Sequence, residues 1–142
     1  MTKIKDPVRK QSVIYQKEEA IRQSWIQKLI ALGYPKQYLQ VEVHLKKILR
    51  DAPIKLPNRR VDILCYFQKE GVYYPLVLIE CKAVKIDQTS LDQVMGYNVF
   101  VKAPYVAVVS DKQIFFGRWD KEIEDYQFSN HFPSYKELKH QL

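Results

Sequence analysis

The run Leu76-Val77-Leu78-Ile79 sets four apolar side chains in a row, and Glu80-Cys81-Lys82 follows at once. Successive side chains on a strand point to opposite faces, so a strand apolar at every position must be covered on both. Such a strand belongs inside a sheet with helices packed against it. Residues 60–67 form a second strand candidate, and Gln68-Lys69-Glu70-Gly71 is a turn joining it to the apolar strand, predicted over 72–82.

The remaining elements fit around this hairpin. Residues 16–32 carry Ile21, Trp25, Leu29 and Leu32 on one stripe of a helical wheel, and Gly33-Tyr34-Pro35 stops that helix. Residues 38–44 alternate, with Leu39, Val41 and Val43 on one face and Gln40, Glu42 and His44 on the other. Residues 46–50 suit a helical turn, and Pro53 and Pro57 mark a loop. A second helix is predicted over 89–101, capped by Thr89 or Ser90. Strands follow at 105–109 and 113–119 around a turn at Ser110-Asp111-Lys112, and a short helix closes the chain at 134–141. The expected fold class is α/β: a mixed sheet flanked by helices.

At 142 residues, 46% hydrophobic and 27% charged, the composition is that of one globular domain, 1–142, with its core at about 16–120. No apolar run approaches the ~20 residues of a membrane span. Met1-Thr2-Lys3-Ile4-Lys5-Asp6-Pro7 lacks the apolar stretch of a signal peptide, so a cytoplasmic protein with no membrane partner is expected. Cys65 and Cys81 have no metal-type spacing and are expected to be buried thiols. Residues 1–60 hold 14 basic and 5 acidic side chains, whereas 61–142 hold 9 and 11. A basic half suits a polyanion, although a solvated basic surface explains it as well.

Chemistry enters where charge interrupts the strands. Asp62 lies among the apolar residues 61–67, and Glu80 and Lys82 end the most hydrophobic strand. Residues two apart share a strand face, and a short hairpin makes the strands antiparallel neighbours, bringing two carboxylates and an ammonium to one sheet edge. Oxygen ligands of this kind suit a hard cation such as Mg²⁺ or Mn²⁺. A cation there polarises a phosphodiester and lowers the pKa of water, and Lys82 would act on that water or on the developing charge. The competing explanation is a surface Glu-x-Lys ion pair with Asp62 as a turn residue.

Asp62 followed by Glu80-Cys81-Lys82 resembles the signature of PD-(D/E)xK nucleases, and within them the N-terminal nuclease domain of type I restriction enzyme R subunits. The resemblance runs over about 17–119. It includes Glu18-Glu19-Ala20-Ile21-Arg22-Gln23, Leu32-Gly33-Tyr34-Pro35, Arg59-Arg60-Val61-Asp62-Ile63, Leu78-Ile79-Glu80-Cys81-Lys82 and Gln93-Val94-Met95-Gly96-Tyr97. Val61 stands where the Pro that names the motif would be.

This resemblance implies a restriction-endonuclease-like fold and a divalent-metal-dependent DNA endonuclease. Asp62, Glu80 and the carbonyl of Cys81 would bind Mg²⁺ or Mn²⁺, and Lys82 would act on the attacking water. Gln93 and Tyr97, four apart on a helix, would contact DNA or brace the site. Arg22 and Arg60 join them as candidates for phosphate contact or bracing. The family also takes a carboxylate from the first helix, and the wheel favours Glu18 over Glu19 because Glu18 falls within the Ile21–Trp25–Leu29 stripe.

His44, His131 and His140 share no spacing and are expected at the surface or in packing. Tyr66, Tyr73, Tyr74, Tyr105, Phe115, Phe116 and Trp119 are expected in the core. The glycines at 33, 71, 96 and 117 build no phosphate-binding Gly-x-x-x-x-Gly-Lys-Ser/Thr loop, so an ATP-driven motor is not expected here. Beyond DNA, the expected partners are a second copy or a separate motor or specificity subunit. The alternative function is a nucleic-acid-binding module, or a nuclease-fold subunit, that does not itself cut.

Overall fold

A computed structural model describes residues 3–9, 11–14, 17–50 and 55–142. Strands β1 (Lys3–Asp6) and β2 (Gln11–Ile14) pair as an antiparallel ribbon. Helix α1 (Lys17–Ala31) follows, then a 3₁₀ turn (Lys36–Tyr38), β3 (Leu39–His44) and the short α2 (Leu45–Ile48). Next come β4 (Arg60–Lys69), β5 (Val72–Cys81), α3 (Gln88–Val101), β6 (Tyr105–Val109), β7 (Ile114–Asp120), β8 (Asp125–Ser129) and α4 (Tyr135–Lys139). Pro53 of the expected loop and Gln16 of the expected first helix lie outside the described residues.

The six strands β3 to β8 form one mixed sheet in sequence order, with β5–β6 the parallel pair and α3 its crossover. The apolar strand β5 lies inside this sheet, as its sequence requires. Its residues Leu76, Val77, Leu78 and Ile79 are fully buried. One face packs Ile63, Val77, Ile79 and Ala107 against Ile21, Trp25, Ile26 and Leu29 of α1. The other packs Leu64, Leu78, Val106 and Val108 against Val94 and Val101 of α3. This is the predicted α/β architecture.

Local chemistry sets the ends. Helix α1 stops because Gly33 takes φ +87°, letting the Tyr34 amide reach the Leu29 carbonyl and the Gly33 amide that of Ile30. Glu70 and Gly71, both at positive φ, turn the β4–β5 hairpin in two residues rather than the expected four. Helix α3 is capped by Asp87, not by Thr89 or Ser90. The Asp87 carboxylate accepts from the Ser90 amide (3.0 Å) and hydroxyl (3.2 Å).

Three further expectations are corrected. Phe132 and Leu138 are buried beside α1, so the core continues past residue 120. The ribbon β1–β2 and strand β8 are elements that the sequence pattern did not disclose. Tyr73, Tyr74 and Trp119 are exposed rather than core. The β4–β5 hairpin extends beyond a bulge at Cys65/Tyr66, and β6 does not pair with β5 before Val77. The aromatics on that arm pack on one another instead, Phe67 on Tyr74 and Tyr38 on Tyr73. Tyr105 and Phe116 are buried, and Tyr66 and Phe115 are half-buried.

Candidate active site

The β3–β4 ladder is broken at one position. Val41 pairs with Ile63 and Val43 with Val61, but Glu42 and Asp62 between them do not pair. Glu42 adopts φ 50°, a left-handed conformation that turns the strand over. Val41 and Val43, expected on one face, therefore join opposite cores, as do Ile63 and Val61. Asp62 sits at this crossover, within reach of both faces.

Asp62 is buried, and protein donors bind both of its oxygens. Its Oδ1 accepts from Arg22 Nη2 of α1 at 2.7 Å, and its Oδ2 accepts from the Cys81 amide at 2.8 Å. Arg22 also pairs with Glu19 and lies 3.5 Å from Glu42. Burial would lower the Arg22 pKa, but the Asp62 and Glu42 carboxylates outweigh it and hold the guanidinium above its ordinary value.

The lattice continues to the N-terminal ribbon. Arg9 joins Asp6 (2.7 Å), Glu42 (2.9 Å) and Glu19, and Gln23 donates to Asp6 (2.8 Å) and Glu19 (3.1 Å). Asp6 is fully buried. Burial raises its pKa, but hydrogen bonds from Arg9, Gln23 and Val8 prevail and hold it below the ordinary value.

Glu80 is different. It is the next-to-last residue of β5, on the α3 face, is buried, and has an Oε1 atom with no hydrogen-bond partner. Burial first, and then the neighbouring Asp62 carboxylate, push its pKa well above the ordinary carboxylate range, with Lys82 opposing them. A buried carboxyl beside a second carboxylate avoids paying the full cost of ionisation only by taking a proton or a cation. Lys82 is half-buried, and its Nζ donates to Gln93 Oε1 of α3 at 3.2 Å. Tyr97, one turn on, is half-buried below the Arg59 guanidinium, 6.0 Å from its ring centroid. Burial raises the Tyr97 pKa, Arg59 lowers it, and Glu80 and Asp62 add smaller upward contributions.

The structure thus gathers Asp62, Glu80, Lys82, Arg22, Gln93 and Tyr97, at the C-terminal end of an interior strand rather than at a sheet edge. Glu18 is a correction. It is exposed, whereas Glu19 is buried and bonded to Arg22. The wheel failed because α1 buries two stripes. One is apolar, and the other, Glu19, Arg22 and Gln23, is polar and bonded to Arg9, Asp6 and Glu42. Arg60 is exposed at the start of β4, and among the described residues no hydrogen bond or ion pair ties it to the others. Arg59, Glu42 and Arg9 were not expected near the site. The Arg59-Arg60 pair was visible, but which member faces α3 depends on the strand start.

Cys65 and Cys81 are buried free thiols, and burial raises both pKa values. His44 caps α2 and His131 pairs with Glu137, so both have surface roles. Among the described residues no cluster of three or more His, Cys, Asp and Glu side chains is arranged to hold a metal. No helix of the described residues is long and apolar enough to cross a membrane.

The family model for the type I restriction enzyme R protein N terminus (HSDR_N) matches residues 17–133. The chain belongs to this family. The match starts at α1 and runs past β8, so it contains every residue of the cluster except Asp6 and Arg9 of the ribbon region. No curated protein and no solved structure matches the chain.

Proposed function

We propose that this type I restriction R-protein domain is a PD-(D/E)xK-type nuclease that hydrolyses phosphodiester bonds in DNA with a divalent metal ion. The observation that carries this reading is the pairing of Asp62 with a buried Glu80 whose Oε1 has no partner, beside Lys82. The donors are hard oxygens and fit Mg²⁺ or Mn²⁺, with Asp62, Glu80 and the Cys81 carbonyl as ligands. When bound, the ion supplies positive charge that polarises the scissile phosphate and acidifies nearby water.

The chain's own residues do the rest. Lys82, steadied by Gln93, donates to the attacking water and stabilises negative charge developing on the phosphate. Arg22 and the Cys81 amide fix the Asp62 carboxylate. Glu19 and Glu42 hold Arg22 in turn, and Tyr97 closes the α3 side.

The competing reading is a nucleic-acid-binding module that does not cut, or a nuclease-fold subunit that acts with a partner. It is favoured by Arg22 already occupying Asp62 Oδ1 and by the lack of a three-ligand cluster among the described residues. Motor or specificity subunits, or a second copy, would supply translocation and targeting under either reading.

Supercoiled plasmid and single-stranded DNA, incubated with Mg²⁺ or Mn²⁺, decide between the two. The nuclease reading predicts nicking that a chelator stops and that Asp62→Ala and Lys82→Ala both lose. Intact DNA binding without nicking at any metal concentration would establish the alternative.

A further inference from the structure

The sheet end that carries Glu80 and Lys82 continues into a cleft of about 550 Å³ lined by Lys17, Ala83, Val84, Lys85, Ser110–Gln113. Three of the lining side chains are lysines, Lys17, Lys85 and Lys112, and one, Asp111, is acidic. All four are exposed, and among the described residues none of the lysines is in an ion pair. The cleft therefore presents two net positive charges to solvent.

Its floor is braced. The Trp25 indole donates to the Ser110 carbonyl (3.0 Å), and Ser110 Oγ accepts from the Lys112 and Gln113 amides (3.3 and 3.0 Å). Gln113 Oε1 accepts from the Ile86 amide at 3.0 Å, tying the β6–β7 turn to the segment that follows Lys82. The cleft adjoins the site at the sheet end on the α1 side, where Ala83 packs with the α1-side core and directly follows Lys82 in the chain. The Lys82 amide donates to the Val109 carbonyl at 2.8 Å, which fixes that junction to β6.

We propose that this cleft is a backbone-binding site for the nucleic-acid strand entering the Glu80–Lys82 site, with Lys17, Lys85 and Lys112 each neutralising one phosphate. The proposal rests on the nuclease reading only for the strand's destination, because the cleft's charge and rigidity do not depend on cleavage. It also relocates the basic surface. Two of its three lysines come from residues 61–142, the half of the chain with an acidic balance, so charge counted along the sequence did not reveal it.

Each phosphate neutralised releases counterions, which makes affinity fall with salt at a slope of about 0.9 per contact on duplex DNA and about 0.7 on a single strand. The test measures binding of a short fluorescent DNA duplex, and separately of a single-stranded oligonucleotide, in chelator across a salt series. The variants are Lys17→Ala/Lys85→Ala/Lys112→Ala and the control Lys36→Ala/Lys69→Ala/Lys136→Ala, which removes equal charge at the far end of the sheet. The cleft variant should bind at least about tenfold more weakly at 0.1 M salt, with the duplex slope reduced by about 2.7, and the control should leave the slope unchanged. Equal effects in both variants, or wild-type binding by the cleft variant, would overturn the proposal, as would no binding to either DNA.

Thermal unfolding checks that both variants fold, as substitutions of exposed lysines should allow. Plasmid nicking by the same proteins separates the two claims. Nicking with a wild-type salt slope in the cleft variant refutes the cleft alone, and a reduced slope in the cleft variant of a protein whose wild type never nicks refutes the nuclease alone.

Discussion

The two carboxylates of the site lie in adjacent strands and live under opposite conditions. Asp62 faces α1, where Arg22, Glu19, Glu42, Arg9 and Asp6 form a charged lattice in which nearly every buried oxygen has a donor. Glu80 faces α3, where its Oε1 has none and its nearest ionic neighbours are Asp62, which repels it, and Lys82. A satisfied ionic lattice positions side chains. A buried carboxyl with an unpartnered oxygen keeps a lone pair free for a proton or a cation, which is the condition the proposed metal site needs.

Substitutions should separate the two sides. Glu80→Gln should reduce metal-dependent nicking to background while leaving unfolding stability equal or higher, because it removes a buried carboxyl whose Oε1 has no donor. A loss of both together would place Glu80 in the structural lattice. Arg22→Ala should do the reverse on stability. It strands Asp62 without its counter-ion and leaves Glu19 held by Arg9 and Gln23, and urea denaturation should show a loss of about 3–5 kcal/mol. A loss below about 1 kcal/mol would mean that the lattice is not what holds α1 to the sheet.

Acid should distinguish the sides in sign. Asp6 is held below its unfolded pKa, so its contribution is present above that value and lost as pH falls through the folded one. Glu80 is raised, so its contribution is full below the unfolded pKa and lost as pH rises through the folded one. In metal-free buffer, Asp6→Asn should therefore flatten the acid limb of the stability profile, and Glu80→Gln should flatten the fall at higher pH. Identical profiles for both variants would end the contrast. The smallest effect is expected from Gln93→Ala, which removes one hydrogen bond to Lys82 and should slow nicking about fivefold, or 1 kcal/mol.

The sequence disclosed one side of this comparison much better than the other. The four apolar residues before Glu80 identify an interior strand, strand parity puts Lys82 on the Glu80 face, and Gln93 and Tyr97 four apart share a helix side. These are short-range regularities of a single element. The lattice is long-range. Arg9 meets Glu42 across 33 residues and Arg22 meets Asp62 across 40, and no helical wheel contains those partners.

Glu18 was preferred over Glu19 because the wheel assumes that helices bury apolar stripes, and α1 buries a charged one as well. Strand β8 was missed because its residues alternate between exposed and half-buried at the edge of the sheet. Tyr73 and Tyr74 were expected in the core because β propensity does not say where the neighbouring strand stops.

The most direct test of the account is calorimetric titration of Mn²⁺ into the metal-free protein, its Glu80→Gln variant and its Asp62→Asn variant. The account predicts one binding event in the wild type that either substitution weakens by at least about tenfold. Binding of equal strength in all three proteins, or none in the wild type, would contradict it.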